Sequence, residues 1–364
     1  LEGDLPAADA QPYLDRCLGC WACVPACPSG VAYGELLTHY RAATADQRQA
    51  SWLDAATRKM LVETLPYPGR FRKALAAGRI GRAVQRLLPD AWRGMLDLLP
   101  AALPQSAPLP DMFPARTRRR ARVALLTGCV QSVLAPDINW ATLRVLARNG
   151  VETIVPSAQG CCGAILMHLG EHERARQLAR HNMQVFPQDV DAILTNAAGC
   201  GSGMHDYQRL FAGAEDQAVA AAFAARVQDV TVFLDQLGLE PPGPLPVPLR
   251  VAYHDACHLL HAQGVRDQPR RLLASVPNIE LLELNDGGMC CGSAGVYNLL
   301  QPEIARQLGD RKVTRILDTG ADAVVTGNLG CLTQIQAHLR RLSQDLPVYH
   351  TMTLLDRAYS AEDD

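Results

Sequence analysis

The run CLGCWACVPACP, residues 17–28, spaces Cys17, Cys20, Cys23 and Cys27 as C-x2-C-x2-C-x3-C-P. Two-residue gaps let one short loop aim thiolates at separate irons of a cubane, and Pro28 then turns the chain away. This is the ferredoxin-type spacing for a [4Fe–4S] cluster. A zinc site normally uses two separated pairs, not so dense a run. In two-cluster ferredoxins the fourth cysteine of each run ligates the other cluster. Either Cys27 closes the single cluster here, or it serves a second one whose run lay upstream of Leu1. The non-Met start favours the second arrangement.

The other eight cysteines form a repeat. RVALLTGC (122–129), QGCCGAIL (159–166) and DAILTNAAGC (191–200) recur as RVAYHDAC (250–257), GGMCCGSAG (287–295) and DAVVTGNLGC (322–331). The offsets are 128 from Cys129 to Cys257, 129 from Cys161 to Cys290 and 131 from Cys200 to Cys331. Each unit reads as a strand ending near Cys, a Cys-Cys-Gly, and another strand ending near Gly-Cys. Ligands of parallel α/β folds sit beyond the carboxyl ends of strands. Cys129, Cys161, Cys162 and Cys200 are therefore expected at one metal centre. Cys257, Cys290, Cys291 and Cys331 are expected at its counterpart. Gly163 and Gly292 permit the tight turns that such loops need. Iron–sulfur is the first expectation and zinc the alternative, since four cysteines suit either. Buried core cysteine accounts for one or two of these residues, not for a matched set in both units.

The elements that carry these residues are an α/β assembly: a helical ferredoxin-type N-terminal region, then two pseudo-twofold-related parallel α/β lobes. The expected boundaries are 1–45 for the [4Fe–4S] segment, 46–121 for a helical connecting region, 122–240 for the first lobe and 249–364 for the second. Prolines cut the connecting region into short helices, and PPGPLPVP (241–248) reads as a stiff linker between lobes. RTRRRAR (116–122) reads as an exposed linker. With 364 residues, 48% of them hydrophobic, the chain can bury real cores without a disulfide scaffold. A formal net charge of −2 argues against nucleic-acid binding. Neither a membrane-crossing apolar run nor a signal-peptide pattern is evident, so the expected location is cytoplasmic, with peripheral attachment to the inner face of the membrane as an option.

The run CLGCWACVPACPSGVAYGELL, the two Cys-Cys-Gly units, YHDACHLLHAQG (253–264) and GNLGCLTQIQAHL (327–339) together resemble the iron–sulfur subunit of glycolate oxidase. The resemblance covers essentially the whole chain. Lactate-utilisation, glycerol-3-phosphate dehydrogenase and heterodisulfide reductase iron–sulfur subunits are related to it. It implies [4Fe–4S] clusters in this chain, flavin-binding oxidase subunits as hetero-oligomeric partners, and electrons from glycolate or a similar 2-hydroxy acid passed toward quinone. Family members usually carry two ferredoxin runs, and this chain shows what looks like the second. Heterodisulfide reductase lobes have a fifth cysteine, and Gly203 and Gln334 stand at the equivalent positions here.

No Gly-x-Gly-x-x-Gly follows a strand, so neither NAD nor flavin is expected in this chain, and no residue is assigned as a catalyst. His254, His258 and His261 surround Cys257 as ligands, proton carriers or donors to sulfur, or else as a polar rim or surface residues. From Thr64 to Pro89 there is no acidic residue, while Arg70, Arg72, Lys73, Arg79, Arg82 and Arg86 recur beside Leu75, Ile80, Val84, Leu87 and Leu88. Such a basic amphipathic stretch suits a membrane surface or an acidic partner, or simply packs on the core. Two rival functions are a disulfide reductase acting at the Cys-Cys-Gly sites and a carrier with structural zinc in its lobes.

Overall fold

The structure, a computed structural model, describes residues 6–81, 96 and 102–360. Among these, nine strands form two sheets. The first sheet contains β1 (Met112–Phe113), β2 (Ala121–Leu126), β3 (Val151–Ile154), β4 (Ala192–Thr195) and β5 (Val227–Asp229), in the order β1-β3-β2-β4-β5. The second contains β6 (Leu249–His254), β7 (Ile279–Glu283), β8 (Ala323–Thr326) and β9 (Val348–His350), in the order β7-β6-β8-β9. Apart from β1, which runs antiparallel to β3, all neighbours are parallel. The second sheet thus repeats the first without its edge strand. Strands β4 and β8 are buried along their whole length, as expected of parallel strands covered by helices on both faces. The α/β fold with two equivalent parallel lobes agrees with the sequence reading.

The lobes are not separate beads. The helix that follows β9, Thr351–Ser360, packs on helix Asp137–Arg148 of the first lobe. Reciprocally, helix Val230–Leu237, which follows β5, packs on helix Asp267–Ala274 of the second. One apolar core therefore runs through both sheets, joining Leu125 and Val145 to Tyr253, Val325 and Met352. The segment read as a stiff linker is part of this core: Leu245 is buried in it, and its backbone exchanges hydrogen bonds with the Asn278 side chain at 2.8 and 2.7 Å.

One other expectation needs correction. The connecting region reaches into the first sheet, because Met112 and Phe113 pair with Ile154 and Thr153. RTRRRAR is exposed from Arg116 to Arg120, as expected of an exposed linker, and it is also anchored. Arg119 and Arg122 both reach Glu152, at 3.2 and 2.9 Å, and Arg120 reaches Glu240 at 3.2 Å. These arginines are tethered to the strand and the interlobe segment beside them.

His350 joins the lobes at the end of β9. Its Nδ1 accepts the Met352 N–H at 3.2 Å, so the ring proton sits on Nε2 and is donated to the Asn196 carbonyl at 2.9 Å. Burial pulls its pKa down to about 4, against the raising effect of the Asn196 and Gly327 backbone. In the unfolded chain the ring takes up its proton near pH ~6.5. Between that value and about 4, unfolded molecules bind a proton that native ones do not, so stability falls as pH falls. The slope is ~1.4 kcal/mol per pH unit. Urea titrations should show the wild type losing ~2 kcal/mol more than His350→Gln between pH 7 and 5. Equal losses would mean that His350 does not set the acid limit.

Candidate metal centres

Each lobe gathers its cysteines where the strands end. In the first, Cys129 follows β2 by three residues, and Cys200 lies in the first turn of helix Ala198–His205, just past β4. Cys161 and Cys162 come from the loop before helix Ala164–Leu169. The Sγ atoms of Cys129 and Cys161 are 3.2 Å apart, and Cys162 contacts Cys200. The second lobe repeats the pairing: Cys257 and Cys290 are 3.8 Å apart, and Cys291 contacts Cys331. Cys331 again sits in the first turn of a helix, Leu329–Arg341.

One glycine device serves all three thiol groups. Gly19, Gly163 and Gly292 each lie two residues after a cysteine and have φ of +65°, +82° and +91°. Each donates its N–H to that cysteine's sulfur, Cys17, Cys161 or Cys290, at 3.4 Å. The left-handed turn aims the amide at sulfur and frees the following residues to leave the site. Hydrogen bonds of this kind set the reduction potential of a cluster when sulfur ligates iron.

The Cys-Cys loops are held differently in the two lobes. In the first, Asn182 donates to the Cys161 carbonyl at 3.0 Å and Tyr207 to the Cys162 carbonyl at 2.9 Å. In the second, Asp286 accepts the Gly288 N–H at 3.0 Å and pairs with Lys312, only 1% exposed. Lys312 stands on the helix equivalent to the one that bears Asn182.

The N-terminal run docks between the lobes. His258 Nε2 meets the Gly19 carbonyl at 3.0 Å, Tyr297 donates to the Arg16 carbonyl at 2.8 Å, and Arg41 to the Cys17 carbonyl at 2.8 Å. Trp21 takes the left-handed conformation, φ +63°. Its ring lies so close to Gly34 that a Cβ there would come within 2.6 Å. Cys20 lies within electrostatic reach of Cys17, Cys23 and Cys257. Cys27 is turned toward the backbone of Val31, Ser29 and Gly30, which hold its thiol below the usual value.

Cysteines from both lobes line one cavity of 630 Å³, three from the first lobe and four from the second. Helix Pro68–Gly81 contributes Phe71 and Leu75 to its wall, and both are buried against Leu61, Leu65, Val133 and Val296. The apolar side of the basic stretch therefore faces inward. Arg70 pairs with Glu63 at 3.0 Å, and Arg72 donates to the Ser132 carbonyl at 3.4 Å. Arg82, Val84, Arg86, Leu87 and Leu88 lie outside the described residues.

The chemistry of this donor set fits metal. All twelve cysteines are free thiols. Contact with Cys162, then burial, pushes the Cys200 thiol well above its usual pKa, and contact with Cys290, then burial, does the same for Cys257. Thiols so crowded would release their protons to a bound cation, which would then hold them together. The three histidines near Cys257 separate. His258 is committed to Gly19, His261 to the Gly288 carbonyl at 3.2 Å, and His254 is buried at 1% exposure, so none is a plain surface residue.

His168, Arg41 and Tyr297 join the site without any sequence signal. The His168 ring stands edge-on to His258 with centroids 5.3 Å apart. Burial first, then His258 and Arg41, pulls its pKa down to about 3. None of these three residues lies in a cysteine motif, so spacing does not point to them.

Fold and thiols define a tandem cysteine-rich domain protein with an appended cysteine run. The family model described as "Cysteine-rich domain" matches residues 123–205 and 251–336. The chain is 34% identical to a Bacillus subtilis (strain 168) protein named probable glycolate oxidase iron-sulfur subunit, over 96% of this chain and 83% of that one. It is 32% identical to the glycolate oxidase iron-sulfur subunit of Escherichia coli (strain K12), over 100% and 86% of the two chains. A fumarate reductase (CoM/CoB) subunit of Methanothermobacter marburgensis is 35% identical, over 66% of this chain and 47% of that one. The chain belongs to the glycolate oxidase iron–sulfur subunit family.

Proposed function

We propose that this chain is the electron-carrying subunit of a complex that oxidises glycolate or a similar 2-hydroxy acid. It receives electrons from a flavin-bearing partner and passes them toward quinone. The observation that carries this reading is convergence: thiols of both lobes line one cavity, and Cys20 of the N-terminal run lies within electrostatic reach of Cys257. A carrier needs redox stations in close succession, and family membership makes iron–sulfur the natural occupant. Iron–sulfur clusters supply one-electron chemistry when bound.

Cys17, Cys20 and Cys23 would hold a [4Fe–4S] cluster. Cys129, Cys161, Cys162 and Cys200 would hold the first-lobe centre, and Cys257, Cys290, Cys291 and Cys331 the second. The chain's own residues orient these thiols. Gly19, Gly163 and Gly292 aim N–H groups at sulfur, Tyr297 and His258 fix the N-terminal loop against the second lobe, and Arg41 braces that loop from within its own segment. Peripheral attachment to the inner membrane face suits delivery to quinone. No helix among the described residues is long and apolar enough to cross a membrane.

A disulfide-reductase role at the Cys-Cys-Gly sites fits less well. A side-chain Cβ at Gly203 would come within 2.5 Å of Ala164. Gln334 is engaged by Asn298 at 2.9 Å and His338 at 3.2 Å. Neither position is shaped for a fifth thiolate.

Anaerobically isolated chain should contain acid-labile sulfide and iron beyond a single cluster, and should be reduced by the flavin subunit when 2-hydroxy acid is supplied. Cys20→Ser should remove one cluster's iron and sulfide and slow that reduction at least tenfold. Unchanged iron in the variant would refute the N-terminal cluster, and zinc without additional sulfide would leave the lobes structural. The chain without its partners should not oxidise glycolate or lactate, because hydride or carbanion chemistry needs a cofactor. Turnover by the flavin-free chain with an artificial acceptor would refute that assignment.

A further inference from the structure

We propose that His254 is a metal ligand in the second lobe, so that the two lobes hold centres of different chemistry: thiolate alone in the first, thiolate with imidazole in the second. The inference rests on the reading that both lobes bind metal at their cysteines.

The repeat makes the comparison internal. His254 ends β6 and pairs with Thr326 of β8, while Leu126 ends β2 and pairs with Thr195 of β4. The two residues therefore occupy the same place in their lobes, and each is only 1% exposed. An apolar side chain is what a buried strand end ordinarily requires. The second lobe instead buries an imidazole, and neither Nδ1 nor Nε2 finds a hydrogen-bond partner among the described residues. Burying both ring nitrogens without partners is costly, and such a group calls for an explanation.

Its surroundings supply one. The ligand atoms of His254, Cys291 and Cys331 all lie within 4.8 Å of one another. The other candidate donors nearby are already used. His258 and His261 each spend a ring nitrogen on a backbone carbonyl, and Lys312 is paired with Asp286. Imidazole and thiolate together are a normal donor set for zinc and occur at iron–sulfur centres as well.

The consequence is functional asymmetry. Imidazole is neutral where thiolate carries charge, so a centre in which His254 takes the place of one of the four cysteines would have a raised potential. The second-lobe centre would then accept electrons more readily than the first. It also lies beside Cys20, the contact between the N-terminal run and the lobes.

The test uses the full chain, isolated anaerobically, as wild type, His254→Leu and His254→Cys. Iron, zinc and sulfide are measured per chain. Nitrogen coordination is read by pulsed EPR of 15N-histidine-labelled protein for iron, or by X-ray absorption for zinc. Leucine is the first lobe's own residue at this place, so His254→Leu should keep its far-ultraviolet circular dichroism and melting behaviour. It should lose the nitrogen signal, with Cys257, Cys290, Cys291 and Cys331 holding metal as the first lobe's four cysteines do. His254→Cys should retain metal and lose the nitrogen signal. A nitrogen signal that persists in His254→Leu, or sulfur-only ligation in the wild type, would overturn the assignment. If His254→Leu does not fold, the wild-type nitrogen signal and its loss in His254→Cys decide. Wild-type protein with no metal beyond the N-terminal cluster would instead overturn the reading of the lobes, and this inference with it.

Discussion

Removing helix Thr351–Ser360 is expected to unfold both lobes, although the helix belongs in sequence to the second. Met352, Leu354, Leu355, Ala358 and Tyr359 are all at most 3% exposed, and they pack into the core that contains first-lobe Leu143, Leu146 and Val151. Each large apolar side chain buried there contributes ~1.5–3 kcal/mol. Four of them approach or exceed the ~5–15 kcal/mol that holds a typical protein folded. The loss also breaks a two-point ion pair, Arg144 Nε to Asp356 Oδ1 at 2.9 Å and Nη2 to Oδ2 at 2.5 Å. It leaves the buried Asn149 side chain without the Tyr359 hydroxyl, now 3.1 Å away. A chain ending at His350 should therefore be insoluble or lack a cooperative transition, while the intact chain unfolds in a single step. Residues 112–240 alone should fare no better. If the shortened chain unfolds cooperatively at the wild-type denaturant midpoint, the shared core is not what holds the lobes together.

That interdependence is hidden in the sequence for a physical reason. Alternating strands and helices, and the matched order of Cys129, Cys161, Cys162 and Cys200 with their counterparts, make two parallel lobes legible. Period and spacing are local properties. Which lobe a helix covers is not, and Leu354 or Met352 reads as core-facing whichever sheet lies beneath it. PPGPLPVP misleads because proline composition reports backbone stiffness, not whether Leu245 finds a hole to fill. The ion pairs of the RTRRRAR arginines are hidden too, because their acceptors, Glu152 and Glu240, are distant in the chain. At the site, cysteine spacing indicates the ligand sets but not their convergence on one cavity. His254 stands near Cys257 in sequence. Its proximity to Cys291 and Cys331 appears only when β6 and β8 lie side by side.

Alanine at Gly292 is expected to disable the second lobe, whereas alanine at Gly163 should be tolerated far better. Both glycines follow a Cys-Cys pair and both have positive φ, +91° and +82°. A left-handed conformation costs an L-residue ~1–2 kcal/mol at either position. The surroundings then separate them. A Cβ on Gly163 would lie 3.4 Å from the Ala175 carbonyl oxygen, an ordinary contact. On Gly292 it would lie 2.6 Å from the Ala305 carbonyl oxygen and 3.2 Å from that residue's Cα. Those atoms are backbone of helix Pro302–Leu317, so no side-chain rotation relieves the clash. Either the helix shifts, and with it Lys312 beneath the loop, or the Cys290–Cys291 turn opens and withdraws the Gly292 N–H from the Cys290 sulfur. Gly163→Ala should cost ~1–2 kcal/mol and keep full metal content. Gly292→Ala should cost more than ~3 kcal/mol, the scale of overpacking added to backbone strain. It should also lose the second lobe's metal while the first lobe and the N-terminal run keep theirs. Denaturant titration with metal and sulfide analysis of both variants checks this. Equal effects at the two positions would show that the close approach of Ala305 does not govern the site.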